Sequence, residues 1–469
     1  MKRAIPFAGP FNERIAKAIS AETCVNWYPE ITRTHNNETM ILKMRPGLKY
    51  NQMLNGGPVR GSLVHGSNLF VVSGSSVFSV DINDVSTVIG TLVTDTGMVG
   101  MASSGTELVI VDGTDGWVWN GATFTKITDV DFVDASQVKF HKGRFIVNAP
   151  GTGRFYISAS YDATSWSSLD FATAEIDPDD LIAIEVDHQE LWLFGEYTTE
   201  SYYFSGNALF PFEPRIGASI EWGCIAPWSI AKGDNTVVWL AQTRNGGRQI
   251  IKATSINPQV ISTDAIEESL SVMTRVDDAV AFVVKGQDRH LFYVITFPTA
   301  DKTFVYDFST GLWHGWDSFG AGKFRISTHT FFNGKSYMGD LINGNLYEFD
   351  GSTYSDNGQR MVRSRKTEHS SSNQNIIFCG SLELLFNVGH GLISGQGSDP
   401  QVALYYSDDG GNTFGNVHTR SLGAIGKYKN RVRFDRLGKY YHRVYEIRIS
   451  DPVPTNLIGA YAELEMGMK

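Results

Sequence analysis

Polar and apolar positions along this chain fall into a repeating meander. A short apolar run meets a polar turn, a β-branched or aromatic run follows, and a Gly- or Asp-rich turn leads into a third run. The unit is clear at LVHGSNLFVVSGSSVFSV (Leu63 to Val80) and recurs from Met101, Val138, Ile184, Ser229, Phe282 and His329. Short alternating runs bounded by turn residues are the signature of antiparallel strands. The first turns of the seven copies sit at Gly66, Gly105, Gly143, His188, Gly233, Gly286 and Gly334, on average about 45 residues apart, the length of a four-stranded propeller blade. Three strands are plain in each copy, and a fourth is expected in the weaker linking segment. The expected fold is mainly β: a β-propeller of six or seven blades plus a smaller antiparallel platform or sandwich. Two stacked sandwiches are the competing reading; radial repetition accounts better for so many strands without long free edges.

Helical patterning is thin. Asn12 to Ser20 (NERIAKAIS) and Thr263 to Met273 each carry a capping residue and i,i+4 apolar spacing, and both read as connectors. Pro6, Pro10, Pro29, Pro46 and Pro58 mark residues 1–58 as an extended arm, expected to pack with the C-terminal platform. The propeller is expected over 59–369 and the platform over 370–469, after the aperiodic loop SDNGQRMVRSRKTEHSSSNQN.

Composition sharpens this picture. The 47 Gly, 28 Phe, 19 Tyr and 10 Trp suit tight turns and half-buried pleated surfaces. A formal net charge of −10 argues against a protein that coats nucleic acid with a generally basic surface. Cys24, Cys224 and Cys379 are too scattered for a disulfide scaffold or a local zinc site, and no apolar run approaches a membrane span. The expectation is a non-secreted protein without a membrane anchor.

Chemistry-bearing motifs are few. SDDGGNTF fits the Asp-box pattern in full: Ser407, Asp409, Gly411, Thr413 and Phe414 are expected to build a structural hairpin turn, with the Asp409 carboxylate bonding backbone N–H groups. FRIS at Phe324 to Ser327 resembles a sialidase F-R-I-P segment but stands at the wrong end of the repeats. A carbohydrate-active or carbohydrate-binding propeller is therefore kept as an alternative. IDPDD (Asp177, Asp179, Asp180) reads as a solvated acidic turn, and His314 between Trp313 and Trp316 as a packed aromatic turn. Nothing pairs a nucleophile with a base, spaces ligands for a metal or cradles a cofactor, so no catalytic, metal or cofactor residue is assigned.

One charge pattern stands out. Nine Lys and Arg against Asp435 and Glu446 between Arg420 and Arg448 give a local net of +7. In KYKNRVRF, Lys427, Lys429, Arg431 and Arg433 alternate with Tyr428, Asn430, Val432 and Phe434, so a strand here would carry a cationic face. With Arg436, Lys439, Arg443 and Arg448 these form the candidate interface. Three readings of it stay open: a solvated face balanced by acidic neighbours, a dock for an acidic protein surface, and a DNA-binding strand.

Several segments together carry a resemblance. CVNWYPEI from Cys24, MRPGLKY from Met44, SASYDATSWSSLDFATAE from Ser158, IEWGCIAPWSIA from Ile220, and RLGKYYHRVYEIRISDPVPTNLIGAYAELEMG from Arg436 resemble, in order, the packaged-DNA stabilisation or tail nozzle proteins of short-tailed phages. The resemblance implies a virion tail protein, made in the host cytoplasm, with a propeller in each subunit and no catalytic residues. Six copies would ring the channel below the portal and head-to-tail adaptor, close it after packaging, and let double-stranded DNA through without sequence-specific binding. A tail fibre or spike and a tail plug or needle are the further partners it implies. The family's basic C-terminal stretch matches Arg431, Arg433, Arg436, Lys439, Arg443 and Arg448, with Lys439 where an arginine is expected.

Overall fold

The computed structural model describes residues 2–34, 37–54, 56–174 and 179–467. Seven antiparallel four-stranded units follow one another along the chain. Blades 1 to 4 are simple meanders: Val59–His65 to Ser86–Thr91, Gly100–Ser103 to Phe124–Lys126, Val138–His141 to Asp162–Thr173, and Leu181–Asp187 to Phe212–Ile220. Blade 5 splits its inner strand into Gly223–Cys224 and Ala231–Gly233 and ends at Asn257–Val260. Blade 6 spans Val280–Lys285 to Leu312–Gly315. Blade 7 takes Ile326–Phe332, Lys335–Asp340 and Asn345–Asp350 from the repeat and its outer strand, Gly47–Met53, from the other end of the chain.

Apolar faces explain the ring. Each blade buries both faces against its neighbours, so seven separate clusters fill the seven spaces between blades. Val109, Val147 and Trp166 sit between blades 2 and 3, for example, and Trp192 and Trp239 between blades 4 and 5. The ring closes where the Ser327 hydroxyl of blade 7 donates to the Val59 carbonyl of blade 1 at 2.6 Å. Left-handed turns fall where the repeat pattern places them: Gly66, Gly105, Gly143, His188 and Gly334 all have positive φ.

The second domain is a β-sandwich. One sheet runs Trp27–Thr34, Asn37–Met44, Leu457–Met466, Ile377–Phe386, Val432–Asp435, with Lys2–Ile5 paired along Leu457–Met466. The other runs Ala21–Val25, Arg363–Lys366, His442–Ile449, Gln401–Ser407, His418–Ser421. Trp27, Leu382, Leu404, Phe434 and Ile447 lie in the core between them. The outer strand of blade 6 pairs in parallel with Ala21–Val25 through Val25 and Gly315, so propeller and sandwich share one continuous sheet.

Local structure differs from the sequence expectation in three places. Residues 1–58 are divided: strands within 2–44 join the sandwich, whereas Gly47–Met53 completes blade 7. Arg363–Lys366, expected in the propeller, is a sandwich strand. Asn12 to Ser20 forms a short strand and a turn instead of a helix, because Asn12–Glu13 pairs with Ala21–Glu22 and Arg14 is held by Asp264 and Glu268. Those two acids lie on helix Asp264–Val272, which forms where expected.

Candidate assembly site

Of three buried arginines near the junction, Arg45 fastens the seam between the domains, while Arg363 and Arg365 tie the sandwich to its own N-terminal and C-terminal segments. Arg45 donates to Asn26 Oδ1 at 2.8 Å, to both oxygens of Asp356 at 3.0 and 2.6 Å, and to the Asp317 carbonyl at 2.8 Å. Arg363 donates to the Val453 carbonyl at 2.8 Å, and Arg365 to Phe7 and Pro10 carbonyls and Glu22. A buried guanidinium is costly unless each N–H finds an acceptor, and these carbonyls supply them. Burial also pushes Arg363 down to about 10 and lifts the Asp317 carboxyl to about 6.

The basic stretch is not one cationic strand. Lys427 to Asn430 form a turn, and the strand is confined to Val432–Asp435. Glycines at 423 and 426 take positive φ, and Asn430 Nδ2 donates to the Ser421 carbonyl at 2.7 Å, closing the loop. Arg431 makes a two-pronged pair with Glu383, at 2.6 and 2.8 Å, and Lys2 meets the same carboxylate. These donors, Arg431 first, pull Glu383 down to about 2. Arg433 bonds Asp435 at 2.7 Å and Glu463 at 3.4 Å, and Arg448 bonds Glu446 at 2.7 Å.

Arg443 departs furthest from the interface expectation. Its side chain is 1% exposed, paired with Asp408 at 2.6 and 2.8 Å and enclosed by the rings of Tyr406 and Tyr440 at 4.1 and 4.2 Å. It is a core cation and cannot reach a partner. Lys427, Lys429, Arg436 and Lys439 are exposed and make no ion pair among the described residues. Of the eight candidates named from the sequence, these four are the free charges.

At the Asp box, the Ser407 hydroxyl donates to Asp409 Oδ1 at 2.6 Å while accepting from Gly411 N at 2.9 Å. Asn412 N and Thr413 N donate to the same carboxylate at 3.0 and 2.9 Å, and the Thr413 hydroxyl at 2.6 Å. Donors from Ser407 and Thr413 hold the Asp409 carboxyl well below the usual carboxylate range. Gly411 has φ +88°, and a Cβ there would lie 2.8 Å from Ala21. Phe414 is half-buried under the Lys366 ammonium, 5.5 Å from its ring centre. The Ser407 and Thr413 hydroxyls and the Asp409 carboxylate are used to hold the turn.

An axial cavity of about 300 Å³ is lined by residues of all seven blades, blade 5 contributing Pro227, Trp228 and Ile230 from the turn between its two inner strands. Gln137 spans part of it, accepting from Ile184 N at 2.8 Å and donating to the Pro227 carbonyl at 3.0 Å. Lys139 and Lys232 pair with Glu185 at 2.6 and 3.2 Å; burial opposes its ionisation, and the two cations outweigh that. Arg325, the arginine of FRIS, is paired with buried Asp340 at 2.7 Å. No group of three or more potential metal ligands occurs among the described residues, and no helix is long and apolar enough to cross a membrane. Asp177 lies outside the described residues, and Asp179 accepts from Tyr197 N at 2.7 Å.

A propeller and a sandwich merged through one sheet define a two-domain, mainly β protein, and the family it matches is one of phage structural proteins. Residues 5–354 match the family described as bacteriophage P22 Gp10, beta-propeller, and residues 362–465 match bacteriophage P22 Gp10, beta-sandwich. The chain belongs to the bacteriophage P22 Gp10 family, whose members stabilise packaged DNA. No curated protein matches the chain. Solved structures similar to it include virginiamycin B lyase from Staphylococcus aureus (11% identity, TM-score 0.45, 63% of this chain and 97% of that one). YCF48 bound to a D1 peptide (13%, 0.41, 65% and 97%) and the N-terminal domain of Nup159 (10%, 0.42, 70% and 98%) are others. At those values they carry no argument about function.

Proposed function

We propose that this chain is the tail nozzle of a short-tailed phage. Six copies form a ring below the portal and head-to-tail adaptor, retain packaged DNA, and become the conduit at ejection, in contact with a tail fibre or spike and a tail plug or needle. The observation carrying this reading is the ordered match of both domains to one phage family over nearly the whole chain. The path for DNA lies between subunits. A cavity of about 300 Å³ crossed by Gln137 excludes a duplex whose major groove alone is about 12 Å wide.

Cryo-electron imaging of virions, with this chain located by a tag, tests the reading. Six copies around the tail axis are expected, and any other number overturns it. Virions lacking the chain should lose packaged DNA; stable full heads without it would refute the retention role.

A further inference from the structure

We infer that copies of this chain join head to tail, the free cationic edge of one sandwich seating on the acidic outer edges of blades 3 and 4 of the next copy. The inference rests on the ring-building reading above and names its contact.

Charge is partitioned along the chain. Residues 154–222 carry 13 Asp and Glu against Arg154 and Arg215 in the sequence, a net of −11; Glu175 and Asp177 lie outside the described residues, Glu185 is spent on Lys139 and Lys232 at the axial cavity, and Glu190 pairs with Arg215. That one sector accounts for the whole net charge of −10. Asp162, Asp170, Asp180 and Glu221 in it make no ion pair with Lys or Arg among the described residues. The opposing +7 stretch is trimmed by Glu383, Asp435, Glu463, Glu446 and Asp408, and what stays free is Lys427, Lys429, Arg436 and Lys439.

Topology places the two patches on different parts of the molecule. The sandwich grows from the outer strand of blade 6, and its farthest strand from that junction is His418–Ser421. The Lys427 and Lys429 loop links that strand to Val432–Asp435, the terminal strand of the other sheet, so these cations cap the distal edge. Blade 3 is one of the two blades farthest round the ring from blade 6, and blade 4 adjoins it. Two unlike, complementary patches on different parts of the molecule generate a heterologous contact, the kind that closes into a ring when its rotation permits.

Shape agrees with charge. Asp162–Thr173 and Phe212–Ile220 are the two longest outer strands of the propeller, and their free edges lack a partner strand. Each carries a register shift, beside Tyr156/Ser158 and Glu200/Tyr202, that pushes out an apolar tip: Leu169 is 83% exposed and Ile216 is 99% exposed. The distal edge of the sandwich offers apolar counterparts among its cations in Ile425, Tyr428 and Ile393, the last 90% exposed.

Cross-linking of the full chain tests this directly, since Cys24, Cys224 and Cys379 are all buried. A Lys429→Cys chain mixed with an Asp170→Cys chain and treated with a short bis-maleimide should yield a heterodimer, whereas either variant alone should not. The yield should fall at least about tenfold in 0.5 M salt or when Lys427→Glu, Arg436→Glu and Lys439→Glu accompany Lys429→Cys, and recover against a partner carrying Asp162→Lys and Asp180→Lys beside Asp170→Cys. Absence of the mixed product, or a yield indifferent to charge reversal, overturns the inference. A six-fold ring seen in virions without the cross-link would refute this contact and leave the nozzle reading standing. The cross-link with a copy number other than six would do the reverse.

Discussion

His314 gives the structure a specific sensitivity to acid. It sits on the outer strand of blade 6 with its side chain fully buried, and neither ring nitrogen has a hydrogen-bond partner among the described residues. Phe292, Tyr28 and Trp316 surround it at 5.5, 6.0 and 6.0 Å, and Asp307 and His290 are the charged and titratable neighbours from adjoining strands. Burial, the dominant cause, pushes its pKa from 6.5 down to about 3. The native state thus holds His314 neutral, while the unfolded chain binds a proton below pH 6.5. Its contribution to stability is complete above about pH 6.5 and is lost as pH falls towards 3. Between pH 7.5 and 4.5 the linkage amounts to two pH units, or about 2.7 kcal/mol at 1.36 kcal/mol per unit. The perturbation is His314→Leu, which removes the titration and keeps an apolar side chain of similar size. Urea unfolding followed by tryptophan fluorescence at both pH values is the assay. The variant should lose about 2.7 kcal/mol less than the parent on acidification, His329 and the carboxylates cancelling in the difference. Parallel losses in the two proteins would refute the reasoning.

Other outcomes follow from the seam and the sandwich. Asp317→Asn should stabilise the protein at pH 7.5 more than at pH 4.5: burial raises this carboxyl to about 6, so its native state favours the proton and stability is lost as pH rises through 6. With Asp317 partly solvated the gain is about 1 kcal/mol, and a differential-scanning melt at the two pH values reads it. Arg443→Met should cost about 1–2 kcal/mol by removing the buried cation stacked on Tyr406 and Tyr440 and its bond to the Leu437 carbonyl, whereas Asp408→Asn, at an exposed carboxylate, should cost under about 1 kcal/mol in the same melt. Gly47→Val should open blade 7, since a Cβ there meets the Ser355 and Thr353 carbonyls at 2.4 and 2.5 Å. Faster proteolysis within 345–354 than in the parent is the expected sign.

Local patterns were legible where their partners are close in the chain. The meander turns at Gly66, Gly143 and Gly334 mark two-stranded pairings a few residues apart, and the repeat length carries the propeller. The Asp box was readable for the same reason, because Ser407 to Thr413 satisfy one another. Long-range choices were not. Gly47–Met53 pairs with Asn345–Asp350 some 300 residues later, and no periodicity within 1–58 distinguishes that strand from its sandwich neighbours. Arg443 reads as one more cation of a basic run; its burial depends on Tyr406 and Asp408, brought in by another strand. KYKNRVRF alternates correctly, yet flanking glycines and Asn430 close a turn across its first half. NERIAKAIS is nine residues long, too short to hold a helix without packing. The acidity of residues 154–222 was countable in the sequence, but only the ring order of the blades gives it a location.

The division of the N-terminal segment bears on when the protein can exist at all. Residues 2–44 complete the sandwich and 47–53 complete blade 7, yet their distant partners are at Gly315, 345–350, 364–366 and 457–463. Trp27–Thr34 and Asn37–Met44 can pair with each other at once, but Lys2–Ile5 and Gly47–Met53 must wait for strands made late in synthesis, and contacts of such sequence separation form slowly. A prematurely terminated chain has neither a closed propeller nor a filled sandwich. Closure of the propeller and filling of the sandwich therefore both fall late in synthesis.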